Sequence, residues 1–326
     1  MNDGRPRLVF VHGIGPAQDP AEQLAAWREA LARGADAAGH GASAAALRAG
    51  GTFDLAFASY ADLWQRPGAQ GGETADDHLT EADAEIVLAL IDELTADRLP
   101  DAQDPQEREL LAEVRALLHP DGTPQAVGSV LRHSLNVLTT LLEWRRLRRP
   151  AQWAGAAVMR GHLAQVSRYL RRAEAAQPGQ PTIDARVRNR VGAALGTGPV
   201  VVVAHSLGSV VALETLAGHP GPVKLFVTIG SPIGMRGIVW PRIVPQPPRT
   251  PPTVERWLNF WDRDDLIVSR HQLTEVRPNA RGVVPVSRRI DSDGAVVHSA
   301  VKYLAEPAVA GPVMEALATR AADSGA

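Results

Sequence analysis

The sequence predicts an α/β fold: a mostly parallel central sheet flanked by helices, with a large helical insertion. Three observations lead to this. The runs Arg7–Val11, Val200–Val203 and Val223–Ile229 are apolar at consecutive positions, as in strands buried on both faces. Helical patterns separate such runs near both ends of the chain. Between about Gly68 and Gln180 the strand signals stop and only helical periodicity remains.

The first strand, Arg7–Val11, runs into His12-Gly13-Ile14-Gly15-Pro16. Asp19 then caps a helix, with Pro20 at its first position and Glu22 three after the cap. Leu24, Trp27 and Leu31 give that helix one apolar face. Phe53–Ala58 alternates and reads as a second strand leading to Ser59–Trp64. Helical spacing follows in Ile86, Leu90 and Leu94, in Leu110, Leu111, Val114 and Leu118, over Val127–Arg149, and over Val158–Leu170. The expected division is a core of residues 1–67 and 181–326, with residues 68–180 inserted as a cap or lid over the strand ends, where open sheets bind ligands.

After Thr182 a helix spans Ile183–Leu195 and the Val200 strand follows. That strand ends abruptly at Ala204-His205-Ser206-Leu207-Gly208-Ser209, and helical spacing begins at once with Leu207, Val210, Val211 and Leu213. Small residues two positions either side of Ser206 make this a G-x-S-x-G nucleophile elbow with Ala in place of the first Gly. The turn is sharp, so its neighbours must be small. The hydroxyl then stands exposed at the strand end, and the Leu207 N–H is free to bind an oxyanion. The Val223–Ile229 strand ends in Gly230-Ser231-Pro232; residues 241–252 are too Pro-rich for regular structure. Val254–Trp261 contains a further strand, and helices over Ser299–Leu304 and Pro312–Arg320 close the chain.

Composition narrows the function classes. The chain has 326 residues, 45% of them hydrophobic, and a formal net charge of -2. No global field draws it to nucleic acid. With no cysteine, disulfides, thiolate nucleophiles and Cys-type zinc sites are excluded together. No apolar leader and no apolar run of membrane-spanning length is evident, so a cytoplasmic location is expected. His12 and His205 lack partners at metal-ligand spacing and read as structural; neither a metal nor a cofactor is expected.

A serine nucleophile needs a base, and the base needs a carboxylate. Downstream of Ser206 lies an acidic cluster, Asp262, Asp264 and Asp265, and beyond it His298. His271 follows Asp265 too closely to fold back. The elbow, Val11-His12-Gly13-Ile14-Gly15, Gly230-Ser231-Pro232, Asn259–Asp265 and His298-Ser299-Ala300 together resemble a bacterial serine α/β-hydrolase. The style is that of lipases, esterases and the inositol-deacylase-like branch. The resemblance covers the N-terminal strand region and about residues 182–310, and leaves out the helical insertion. It implies an α/β-hydrolase fold and a triad in the order Ser, acid, His. The D-x-x-V pattern of similar enzymes favours Asp265 as the acid, with Asp262 and then Asp264 behind it. A loop running into a His that precedes a helix favours His298 as the base. The His12-Gly13-Ile14-Gly15 loop resembles one whose N–H groups face the nucleophile, making Ile14 the second oxyanion donor beside Leu207.

The expected activity is ester cleavage through an acyl-enzyme, on a small-molecule or lipid-like acyl substrate. A thioesterase, amidase or acyltransferase would use the same residues, and a non-catalytic binding protein could share the fold. The Val127–Arg149 helix ends in Trp144, Arg145, Arg146, Arg148 and Arg149. It reads either as an interfacial helix making peripheral membrane contact or as a packed cap helix; its moderate charge favours the second. Oligomeric state stays open.

Overall fold

The computed structural model describes residues 6–14, 19–64, 81–102, 104–119, 156–173, 179–263, 265, 267–268, 271–291 and 298–319. Six strands form a single sheet: β1 (Arg7–Val11), β2 (Leu55–Ala58), β3 (Val200–His205), β4 (Val223–Ile229), β5 (Trp257–Asp262) and β6 (Pro285–Ile290). Their order is β2-β1-β3-β4-β5-β6, and every neighbouring pair is parallel. The described helices are α1 (Pro20–Ala37), α2 (Gly41–Ala49), α3 (Glu81–Arg98), α4 (Pro105–Leu118), α5 (Ala156–Arg171), α6 (Ile183–Leu195), α7 (Leu207–Leu216), α8 (Ala300–Ala305) and α9 (Pro307–Ala318). No helix among the described residues is long and apolar enough to cross a membrane.

Consecutive apolar residues in the strands feed two cores, because side chains alternate across a pleated sheet. Val9, Val11, Val202, Ala204, Phe226 and Trp257 pack on one face with Val187 and Val191 of α6 and Val210 and Val211 of α7. Leu8, Phe10, Val201, Val203, Leu225 and Phe260 pack on the other face, against α1, α2, α8 and α9 through Trp27, Leu31, Leu47, Tyr303 and Val313. Asp19 caps α1 as its sequence suggests, accepting from the Ala21 N–H at 2.8 Å.

Between β2 and α6 no strand occurs among the described residues. Helices α3, α4 and α5 share a small core of Val87, Ile91, Val114 and Ala164. The insertion is not detached, since Ile86, Leu90, Tyr169 and Leu170 belong to the main core on the α6–α7 side. Glu93 of α3 accepts from the backbone N–H groups of Gly237 (2.9 Å) and Ile238 (3.1 Å), beyond the end of β4. Arg98 donates to the Arg263 carbonyl just past β5. So α3 reaches the loops at the carboxyl ends of two strands.

The order in which strands are added to the sheet reverses between β1 and β3, and in open α/β sheets the crevice at such a point binds ligands. Register fixes what meets there. Val11 pairs with Ala204, and His205 with Ile229. The next residues on each strand, His12-Gly13, Ser206 and Gly230, therefore emerge side by side.

Candidate active site

At the end of β3 the chain turns within one residue into α7. Ser206 makes that turn at φ 55° and ψ -133°. A non-glycine residue there carries strain of about 1–3 kcal/mol, so its surroundings must hold it. They do so through its backbone. The Ser206 N–H donates to the Ile229 carbonyl at 3.1 Å. Its carbonyl accepts from the Ser209 N–H (2.9 Å) and the Ser209 hydroxyl (2.6 Å). Ser209 and Ser231 share a hydroxyl–hydroxyl bond of 2.7 Å, and Ser231 Oγ accepts from the Ile233 N–H at 3.2 Å. Close packing does the rest: a β-carbon on Gly208 would lie 2.2 Å from the His12 carbonyl oxygen, and one on Gly13 would lie 2.7 Å from Ser206 Cβ.

The structure brings Ser206, His298 and Asp265 into one hydrogen-bonded line. Ser206 Oγ lies 2.9 Å from His298 Nε2. His298 Nδ1 lies 2.8 Å from Asp265 Oδ2 and 3.0 Å from Oδ1. All three side chains are buried or nearly so. Asp265 sits in a turn past β5: its N–H donates to the Asp262 carbonyl (3.1 Å), and its carbonyl accepts from the Val268 N–H (3.2 Å). Asp265 Oδ1 also accepts from the Ile267 N–H at 3.0 Å, an Asx-type contact. This turn carries the carboxylate back towards the strand ends. Burial pushes the Asp265 carboxyl up, but the His298 imidazole and the donors His298, Tyr303 and Ile267 outweigh it, so the net shift is downward.

The other candidates fall elsewhere. Asp262 ends β5, where its backbone N–H donates to the Tyr303 hydroxyl at 3.0 Å. His271 stacks on Trp261 with centroids 3.7 Å apart, away from the serine's hydrogen-bond line. Asp264, Gly15 and the whole Val127–Arg149 segment lie outside the described residues.

Leu207 is the first residue of α7, so its N–H has no intrahelical acceptor. Ile14 directly follows Gly13, whose Cα packs against Ser206, and its side chain rests on the main core. His12 is sandwiched between Phe57 and Tyr60, at centroid distances of 5.4 and 4.2 Å. Its carbonyl accepts from the Tyr60 hydroxyl. Burial lowers the His12 ring to about 4, against a weaker upward pull from a Gly13 backbone hydrogen bond. His205, half-buried, immediately precedes the elbow serine, with its ring 4.6 Å from that of His298. Burial first, and then the neighbouring His298, push it well below the usual histidine range.

Comparison with protein-family models, curated proteins and solved structures returned no match. Among the described residues no group of three or more His, Cys, Asp or Glu side chains is placed to hold a metal ion.

Two further residues contribute to the site without a signal of that role in the sequence. Tyr303, fully buried on α8, donates to Asp265 Oδ2 at 2.8 Å. Gly230 has φ 55°, and a β-carbon there would lie 2.9 Å from Asp265 Oδ2 and 3.2 Å from His298 Nδ1. The glycine stood in a quoted strand-end motif without a role. For Tyr303 the chain offers no signal, since an aromatic residue one turn into a short helix reads as core.

Proposed function

We propose that this protein is a serine hydrolase of the α/β-hydrolase type, cleaving carboxylic esters through an acyl-enzyme. The observation that carries the reading is the line from Ser206 Oγ through His298 to Asp265, at 2.9 and 2.8 Å, starting from a serine held at positive φ. A serine that only capped a helix would need neither the strained backbone nor an imidazole backed by a buried carboxylate.

In the proposed reaction Ser206 Oγ attacks the ester carbonyl carbon while His298 Nε2 takes the hydroxyl proton. Asp265 keeps the ring oriented and stabilises the imidazolium. The N–H groups of Leu207 and Ile14 donate to the developing oxyanion; losing one such donor typically lowers turnover by about 10²–10³. His298 then protonates the departing alkoxide. Water, deprotonated by the same ring, attacks the acyl-enzyme and restores the serine. The helical insertion acts as the cap, and the contacts of Glu93 and Arg98 with the loops past β4 and β5 support that placement.

Labelling with a fluorophosphonate and turnover of short p-nitrophenyl esters test the reading together. Wild type should react in both assays, Ser206→Ala in neither, and His298→Ala should lose at least about 10³ in kcat. Robust labelling of Ser206→Ala, or inert wild type, would overturn it. Running acyl thioesters and anilides beside the esters assigns the leaving group.

A further inference from the structure

We propose that Tyr303 is a positioning residue for the acid: its hydroxyl holds the Asp265 carboxylate in line with the His298 ring and shares its negative charge. This rests on reading Ser206, His298 and Asp265 as a hydrolytic triad. Asp265 lies three residues beyond the end of β5, on a loop, yet the base it serves comes from a different segment, 33 residues further on. Of its other donors, the Ile267 N–H belongs to the same turn and moves with it. Tyr303 does not. It sits on α8, packed into the core on the α1 side of the sheet. Its oxygen accepts from the Asp262 N–H at 3.0 Å while its hydroxyl donates to Asp265 Oδ2 at 2.8 Å.

That pair of bonds sets the direction of the hydroxyl proton. A phenol has one hydrogen to give, and with Asp262 N–H on its lone pair the hydrogen points at Asp265. Oδ2 is also the carboxylate oxygen nearer to His298 Nδ1, so tyrosine and histidine share one acceptor. Burial and the Asp265 charge push the phenol well above its usual value of 10.0, which keeps it a donor at working pH.

Among the described residues, the groups that face His298 come from several elements. Ser206 and the His205 ring come from the end of β3, with His12 of the β1 loop behind His205. Asp265 comes from the β5 loop, with Tyr303 of α8 and Asp262 of β5 behind it. The Gly230 backbone lies against the His298 ring. Removing the Tyr303 hydroxyl therefore takes one donor from the carboxylate and the acceptor from the Asp262 N–H, while the Ile267 and His298 contacts to Asp265 remain.

Tyr303→Phe keeps the ring and deletes the donor. We expect kcat and kcat/KM for a p-nitrophenyl ester to fall together by about tenfold, as when an interaction is lost chiefly in the transition state. The acid limb of the pH–rate profile should move to higher pH, because a carboxylate short of one donor holds the imidazolium more strongly. In an Asp265→Asn background the same change should have little further effect, since its influence passes through the carboxylate. A readout free of activity is the low-field proton resonance of His298 Nδ1–H in Ser206→Ala, which should shift when Tyr303→Phe is added. Wild-type kcat and limb in a folded Tyr303→Phe, a purely additive effect with Asp265→Asn, or an unmoved resonance would each overturn the proposal. A wild type that neither labels nor turns over overturns the hydrolase reading instead, and the resonance still reports whether Tyr303 governs the His298–Asp265 contact.

Discussion

Gly230 shows how little room the proposed base and acid have. It follows β4 with φ 55°, and its missing side chain is the space in which Asp265 Oδ2 and the His298 ring sit. An L-residue in that backbone region is disfavoured by roughly 1–2 kcal/mol, and a methyl group at 2.9 Å from the carboxylate oxygen forces something to move. Gly230→Ala is therefore expected to lose about 1–3 kcal/mol in urea unfolding and more than tenfold in kcat. Unchanged stability and turnover would mean that the close approach imposes nothing. A loop with three carboxylates offers a choice that the order of residues leaves open, and the turn from Asp262 to Val268 presents Asp265 to His298.

At the level of elements, α7 is held at both ends. Its first residue follows Ser206, and near its last turn Glu214 anchors a buried polar cluster. Glu214 accepts from Tyr169 of α5 at 2.6 Å, from Arg188 of α6 at 3.2 Å and from the Val244 N–H at 3.1 Å, and pairs with Arg172. Arg172 and Arg188 also reach Asp184, at 3.0 and 2.8 Å. The insertion, the segment after β4 and the nucleophile's helix are thus tied at one carboxylate. Glu214→Ala leaves two partly buried guanidinium groups short of their partner and should cost about 3–5 kcal/mol in urea unfolding; a loss below about 1 kcal/mol would show that water replaces the carboxylate easily. Elements also differ in how plainly the chain announces them. β3 and β4 are central, and continuous apolar runs mark them. β6 went unread because it is an edge strand: Pro285 opens it, and Val286, Arg288 and Arg289 face solvent. α2 is a short Gly/Ala/Ser-rich run whose only strong packing residue is Leu47, too little for a periodic signal.

For the molecule as a whole, histidines whose surroundings keep them neutral contribute to the response to acid. The His12 ring is lowered from 6.5 to about 4 by burial, so between those values the unfolded chain binds a proton that the folded one refuses. Its contribution is complete above pH 6.5 and lost as pH falls towards 4, up to about 3 kcal/mol. His205 acts in the same direction. Urea midpoints at pH 7.5 and pH 5 should show wild type weakening on acidification and His12→Phe, which keeps the stack on Phe57 and Tyr60, weakening less. Equal losses in both would remove His12 from the account. The α/β class, the central strands and the elbow at Ser206 were readable in the chain, because runs of neighbouring residues define them and hydrophobic periodicity is a short-range property. The resemblance named His298 and favoured Asp265, but their contact distances, the grip of Tyr303 and the anchorage at Glu214 came only with the folded chain. Each depends on where separate segments arrive at a common sheet edge, and register and packing determine that, not local composition.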